Sequence, residues 1–236
     1  MTSQQSGRRQ QWDELRPLAG WAAAVVVLLV VVLVLGASSD VRRAGTSGVG
    51  LGPASGEPVG EYLLRAESSL AGAGEADQAR WGLVSLRAEL TTAEAAALPG
   101  DARLAQAIFR VPVERVQTPQ VTVSVVDQRD RAQELRALQN VAASELDTLA
   151  RDETGREQAV DQLSAARLRS GCACVLSLLL RGTADQLRAV AQQPAVRAVE
   201  MTDADVTVQR VSVRALLPEQ TEVAEPGPDD GDVPAP

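Results

Sequence analysis

The hydrophobic pattern of this chain is lopsided. Residues 18–37, LAGWAAAVVVLLVVVLVLGA, contain no charge and no strong hydrogen-bonding side chain. A helix rises about 1.5 Å per residue, so a run of this length covers roughly 30 Å, the thickness of a bilayer's hydrocarbon core. The pattern predicts one transmembrane helix over 18–37, preceded by a short tail, 1–17. The competing reading is a cleaved signal peptide, whose apolar stretch is usually about 7–15 residues and ends in an A-x-A-like site. The run is longer than that, and Leu35-Gly36-Ala37 puts a leucine at −3. Arg8, Arg9 and Arg16 precede the run; Arg42 and Arg43, beside Asp40, follow it. Basic residues favour the cytoplasmic side. The expected orientation is therefore N-terminus inside, with the C-terminal region extracytoplasmic, at the plasma membrane.

After the anchor the pattern changes three times. Residues 38–60 are rich in glycine, with Pro53 and Pro58, and read as a flexible linker. Residues 61–217 alternate between strand and helix periodicity and read as an α+β body. Residues 218–236 carry Glu219, Glu222, Glu225, Asp229, Asp230 and Asp232 among five prolines, with no arginine, and read as a disordered acidic tail.

The body contains an internal similarity. The segment SLRAELTTAE from Ser85 aligns with SLLLRGTADQ from Ser177 at a constant offset. In each, a strand gives way to a threonine with Glu or Gln three residues later: Thr91 with Glu94, and Thr183 with Gln186. That spacing is a capping box, in which the hydroxyl takes an orphan backbone N–H and the Glu or Gln reaches back. Short helices over 92–98 and 184–192 are expected, each halted near a proline, Pro99 or Pro194. Strands over 104–113 and 196–201 should follow, then further strands over 121–126 and 206–215. Two related ferredoxin-like β-α-β units account for the pattern; two unrelated units of like topology are the alternative.

Between the units, Leu135, Leu138, Ala142, Leu146 and Leu149 repeat at three- and four-residue spacing, and Val160, Leu163 and Leu168 resume the stripe after Asp152-Glu153-Thr154-Gly155. The clean heptads are too few for a coiled coil, which favours a helix hairpin or a long helix packed on a sheet.

Composition narrows the chemistry. There is no histidine, and all 23 basic residues are arginine. Ser-His-Asp, Cys-His and Ser-Lys catalysis and His-bearing zinc sites are thereby excluded, and a P-loop lacks its lysine. A net charge of −8 disfavours nucleic acid. No enzyme, cofactor or metal is expected. Aromatic residues are 2% of the chain, so the core must be built from Leu, Val and Ala. The arginine bias, with abundant Ala, Gly and Val, points to a GC-rich, bacterial genome.

Cys172 and Cys174 are the only cysteines. If they stand in a strand over 172–180 they share a face, with Cα atoms roughly 6.5–7 Å apart, at the edge of disulfide geometry. That favours two buried free thiols. A disulfide requires a bend at Gly171 or a partner chain, and a redox dithiol in a strand lacks a helix N-terminus to lower its pKa.

Residues 120–201 resemble the propeptide-type inhibitor module of subtilases. The similarity rests on the order strand, helix, strand, capped helix and closing strand, and on Leu187-x-x-Val190-x-x-x-Pro194-x-Val196-x-x-Val199-Glu200. It implies a ferredoxin-like fold and, by extension, inhibition or regulation of an extracellular subtilisin-like protease. The chain departs from that family in having no protease domain after it and a further strand after Met201. The sequence as a whole points to a single-pass, extracytoplasmic binding or scaffold module of a bacterial cell envelope. Its expected partners are the lipid bilayer and envelope proteins, and its oligomeric state is left open.

Overall fold

A computed structural model of the chain describes residues 48–72, 77–126, 130–204 and 206–235. The apolar run at 18–37 lies outside them. Among the described residues no helix is long and apolar enough to cross a membrane.

The fold is α+β. Its elements are β1 (Val49–Leu51), α1 (Val59–Ala71), β2 (Arg80–Leu90), α2 (Thr92–Ala97), β3 (Arg103–Phe109), β4 (Val121–Ser124), α3 (Arg131–Leu149), α4 (Gly155–Arg169), β5 (Val175–Gly182), α5 (Ala184–Ala191), β6 (Val196–Met201) and β7 (Val211–Val213). Five strands form one antiparallel sheet in the order β4-β3-β5-β2-β6. The units β2-α2-β3 and β5-α5-β6 are each split, because a strand of one sits between the two strands of the other.

Both expected capping boxes are formed. The Thr91 hydroxyl accepts from Glu94 N while Glu94 accepts from Thr91 N, and Thr183 and Gln186 repeat the exchange. The offset between the similar segments also has a geometric counterpart. Ser85 and Ser177, equivalent in that alignment, are paired directly across β2 and β5. A two-fold rotation relating the units would have to pass through that point.

The two central strands are buried on both faces, which explains their nearly continuous apolar runs. Over one face lie α2, α3, α4 and α5, and the main core gathers Val84, Phe109, Leu135, Leu146, Leu178 and Leu187. The hairpin breaks between α3 and α4 over residues 150–154, at the expected Asp152-Glu153-Thr154. Leu149, read as part of the buried stripe, is 46% exposed at the end of α3.

The opposite face is covered by chain that sequence patterning misplaced. Leu51, Val206 and Ala215 pack on Trp81, Leu83, Ile108 and Leu179. β1 and β7 form a separate, parallel two-stranded sheet. Only Val211–Val213 of the strand expected over 206–215 is extended in a ladder, and its partner is β1 rather than the main sheet. Residues 48–60, within the segment read as a flexible linker, hold β1 and the first two residues of α1. Their glycines serve the path of the chain: Gly52 has φ +103°, which lets the chain turn under Arg214. α1 itself had no counterpart in the sequence reading. Its Tyr62 is fully buried with Val59, Ala66, Leu216 and Ala224.

Tyr62 Oη and Ser85 Oγ share a hydrogen bond of 3.1 Å, and burial pushes the phenol up to about 12. Beside it, Glu200 on β6 is 5% exposed. It accepts from Gly52 N at 2.5 Å and is ion-paired with Arg65 of α1, which also holds Glu57 at 2.8 Å. Burial raises the Glu200 pKa, opposed by the Gly52 amide and the Arg65 charge. Arg65→Ala is expected to cost about 2 kcal/mol, below the full value for a buried pair because water reaches the arginine. Without Arg65 the Glu200 carboxyl holds its proton more tightly. The loss should be largest above the folded pKa and shrink as pH falls through it. Urea melts of Arg65→Ala and parent at neutral and acid pH check this; an equal loss at both contradicts it.

Candidate functional site

Among the described residues a cluster of charged and amide side chains lies beneath the C-terminal segment. It starts with the residues after β3. Arg110 N donates to Cys174 O at 2.9 Å, which ends the β3–β5 ladder and leaves the Arg110 side chain at the rim of the sheet. The chain then loops through Pro112 and Pro119. Thr118 Oγ1 donates to Val111 O at 2.6 Å and closes this loop, and Arg115 turns with φ 55°.

Residues 218–235, read from sequence as a disordered tail, run over this loop as a strap. The correction has a direct physical cause: each acidic group that fixes the strap meets an arginine or an amide of the body. Arg110 bonds Glu219 through both terminal nitrogens, at 2.5 and 3.2 Å, and also pairs with Glu89 at 2.9 Å. Arg156 of α4 donates to Asp229 Oδ1 at 2.9 Å and to Gly231 O at 2.8 Å. Gln117 donates its backbone N–H to Asp229 Oδ1 at 3.0 Å and its Nε2 to Gly227 O at 2.6 Å. Arg115 pairs with Asp230. Backbone bonds complete the strap: Gly231 N to Arg115 O at 2.8 Å, Val59 N to Glu222 O at 2.8 Å, and an antiparallel bridge between Pro58 and Val223.

The electrostatics agree with the geometry. Hydrogen bonds from Arg156 and the Gln117 amide hold the Asp229 carboxyl below the usual range. Burial raises the Glu89 pKa, partly offset by Arg110. Among the described residues the Nε of Arg110 is buried without a partner. Between strap and loop a cavity of about 250 Å³ remains, lined in part by Arg110, Arg115, Gln117, Thr118, Arg214 and Pro228. Its lining offers donors from three arginines and several amides. Donors of that kind suit carboxylate groups.

A second acidic feature adjoins the strap. Asp161 of α4 is 6% exposed. Burial pushes its pKa up to about 6, aided by the charge and hydrogen bond of Glu153 and by the charge of Glu157. Its folded pKa thus lies above its ordinary value of 3.8. The stability this proton contributes is complete below pH about 4 and is lost as pH rises through about 6. Asp161→Asn should raise the melting temperature at pH 7 and flatten its pH dependence between those limits. Melting curves at pH 4 and pH 7 that shift in parallel would contradict the assignment.

The cysteines are placed differently from the strand reading. They precede β5, in the turn after α4, and are joined as a disulfide with Cα atoms 5.3 Å apart. Gly171, at φ +81°, provides the bend that such a bridge requires. Cys174 is fully buried, whereas Cys172 is half-buried. Among the described residues no cluster of His, Cys, Asp or Glu suits a metal ion.

Sequence reasoning did not single out Arg110, Arg115, Gln117 or Arg156. The one local signal was an acidic segment without arginine in a chain whose basic residues are all arginine. No protein-family description, no curated protein and no solved structure matches the chain.

Proposed function

We propose that the chain is a membrane-tethered, extracytoplasmic binding module of a bacterial cell envelope, and that its docking surface is the groove of Arg110, Arg115, Gln117 and Arg156. The observation that carries the reading is the strap. An acidic, proline-containing segment already lies in the groove, held by side chains that select carboxylates in extended chain. A partner segment of the same chemistry uses the same donors when it displaces the strap. The run at 18–37 supports tethering, and the disulfide supports an oxidising compartment. The interleaved strand order supports a ferredoxin-like frame, and the Ser85–Ser177 pairing supports a duplicated one.

The test uses the full chain in detergent, with Glu219, Asp229 and Asp230 replaced by alanine to free the groove. A labelled peptide with the sequence of residues 218–235 should bind this variant in trans, bind the parent at least about tenfold more weakly, and lose affinity as salt rises. Failure to bind the freed variant at low salt overturns the groove assignment. Tethering is read separately: protease added to intact cells should remove the C-terminal segment.

Inhibition of a subtilisin-like protease is the alternative reading. After Met201 the chain turns to cover the second face of the sheet, with Val206 and Ala215 buried. Among the described residues that leaves no free extended segment at the end of β6 for a protease cleft. Undiminished subtilisin turnover in the presence of the purified chain would dispose of it.

A further inference from the structure

We infer that Cys172–Cys174 is an exchangeable disulfide, the two-electron centre of a thiol–disulfide exchange site that accepts electrons from a protein or small-molecule dithiol. Three features of the turn between α4 and β5 carry the inference.

The first is what the bridge does not do. It spans a sequence separation of 2. Constraint of the unfolded chain grows with the logarithm of the loop closed, so a bridge over one intervening residue constrains least. The turn is already fixed by backbone bonds: Gly171 N to Leu168 O at 3.1 Å, and Arg110 N to Cys174 O at 2.9 Å. Folding therefore gives little reason for the bond.

The second is unequal access. Cys174 Sγ sits in the main core, at 0% exposure of its residue. Cys172 is half-buried, between the exposed Gly171 and Ala173. An incoming thiolate meets Cys172 and not Cys174.

The third is a dedicated amide. Gln139 of α3 is 2% exposed, and its Nε2 points into this turn. It donates to Leu168 O at 3.0 Å and to Cys172 O at 3.3 Å, and lies 3.6 Å from Cys172 Sγ. A donor held against that sulfur favours its thiolate once the bridge opens. It supplies locally what a helix N-terminus supplies elsewhere.

A donor thiolate attacks Cys172 Sγ, a donor–Cys172 bond forms, and the Cys172–Cys174 bond breaks. Its electron pair leaves on Cys174 Sγ, which takes a proton because its apolar surroundings disfavour charge. The donor's second thiolate then attacks the donor sulfur of the mixed disulfide and expels Cys172 as thiolate beside Gln139. The donor dithiol becomes a disulfide, and the cysteine pair takes up two electrons. A disulfide-bearing acceptor reverses the same steps.

The experiment uses the natively folded full chain in detergent. Dithiothreitol should open the bridge without denaturant, read as two alkylations by mass spectrometry with an unchanged far-UV circular dichroism spectrum. In Cys174→Ala, Cys172 should form a mixed disulfide with oxidised glutathione at least tenfold faster than Cys174 does in Cys172→Ala. Gln139→Leu in the Cys174→Ala background should move the pH midpoint of Cys172 alkylation upward, while Gln139→Glu tests whether charge rather than shape sets it. A bridge that opens only in denaturant, or two cysteines that react at equal rates, overturns the inference. An unmoved midpoint in Gln139→Leu removes the amide from it.

Discussion

Gly52→Ala is expected to destabilise the protein by about 4 kcal/mol, lowering the melting temperature by roughly 10 °C. Two independent obstacles meet at this residue. Its φ of +103° is a conformation that L side chains rarely adopt, and a Cβ there would stand 1.7 Å from the carbonyl oxygen of Arg214. That oxygen belongs to backbone, so no rotamer change relieves the overlap. The chain must lift, and it carries other bonds with it. Arg214 N donates to Leu51 O at 2.8 Å, and Gly52 N is one of the donors to buried Glu200. Lifting the turn thus loosens the β1–β7 pair and leaves a buried carboxylate with one partner fewer. Hydrogen exchange should show the loss of protection concentrated in β1, β7 and the adjoining β6. A melting temperature within 2 °C of the parent would contradict the close approach of Gly52 to Arg214.

Phe109→Ala is the second large effect, at about 3–5 kcal/mol. Phe109 is the only phenylalanine of the chain, fully buried in the core between the sheet and the α3–α4 hairpin. The surrounding core is Leu, Val and Ala, whose short side chains cannot reach across the space a lost ring leaves. The cavity therefore persists and its cost adds to the lost transfer energy. Phe109→Leu keeps most of the volume and should cost less than about 1.5 kcal/mol. Urea melts should move in midpoint at constant slope for both. Equal costs for the two variants would mean that the core collapses around the site.

What could be read in the sequence was local. Thr91 with Glu94 and Thr183 with Gln186 announced two helix starts because a capping box is complete within four residues. The limits of β6 were legible from Val196 to Met201, between a proline turn and a polar segment. The break between α3 and α4 was legible because Gly155 follows a polar cluster. What could not be read depended on partners remote along the chain. Arg110 and Glu219 are 109 positions apart, Arg156 and Asp229 are 73. Composition sees an acidic, proline-rich stretch with little to bury, and cannot see that arginines of the body complete it. β1 failed for a related reason: a three-residue strand among glycines has no periodicity, and exists because Val211–Val213 lies parallel to it. The cysteines were misplaced by assuming that β5 began at residue 172, when the left-handed Gly171 delays the strand to Val175.

The parallel pairing of β1 with β7 has a mechanical consequence. β1 is entered from Gly48 at its N-terminal end, and β7 leads onward from its C-terminal end into the strap. Opposed pulls on these two ends act along the strands in opposite directions. They load the pairs Val49–Val211, Gly50–Ser212 and Leu51–Val213 together, in shear, rather than one after another as in an unzipped hairpin. Tension along the two strands is therefore resisted by three residue pairs at once.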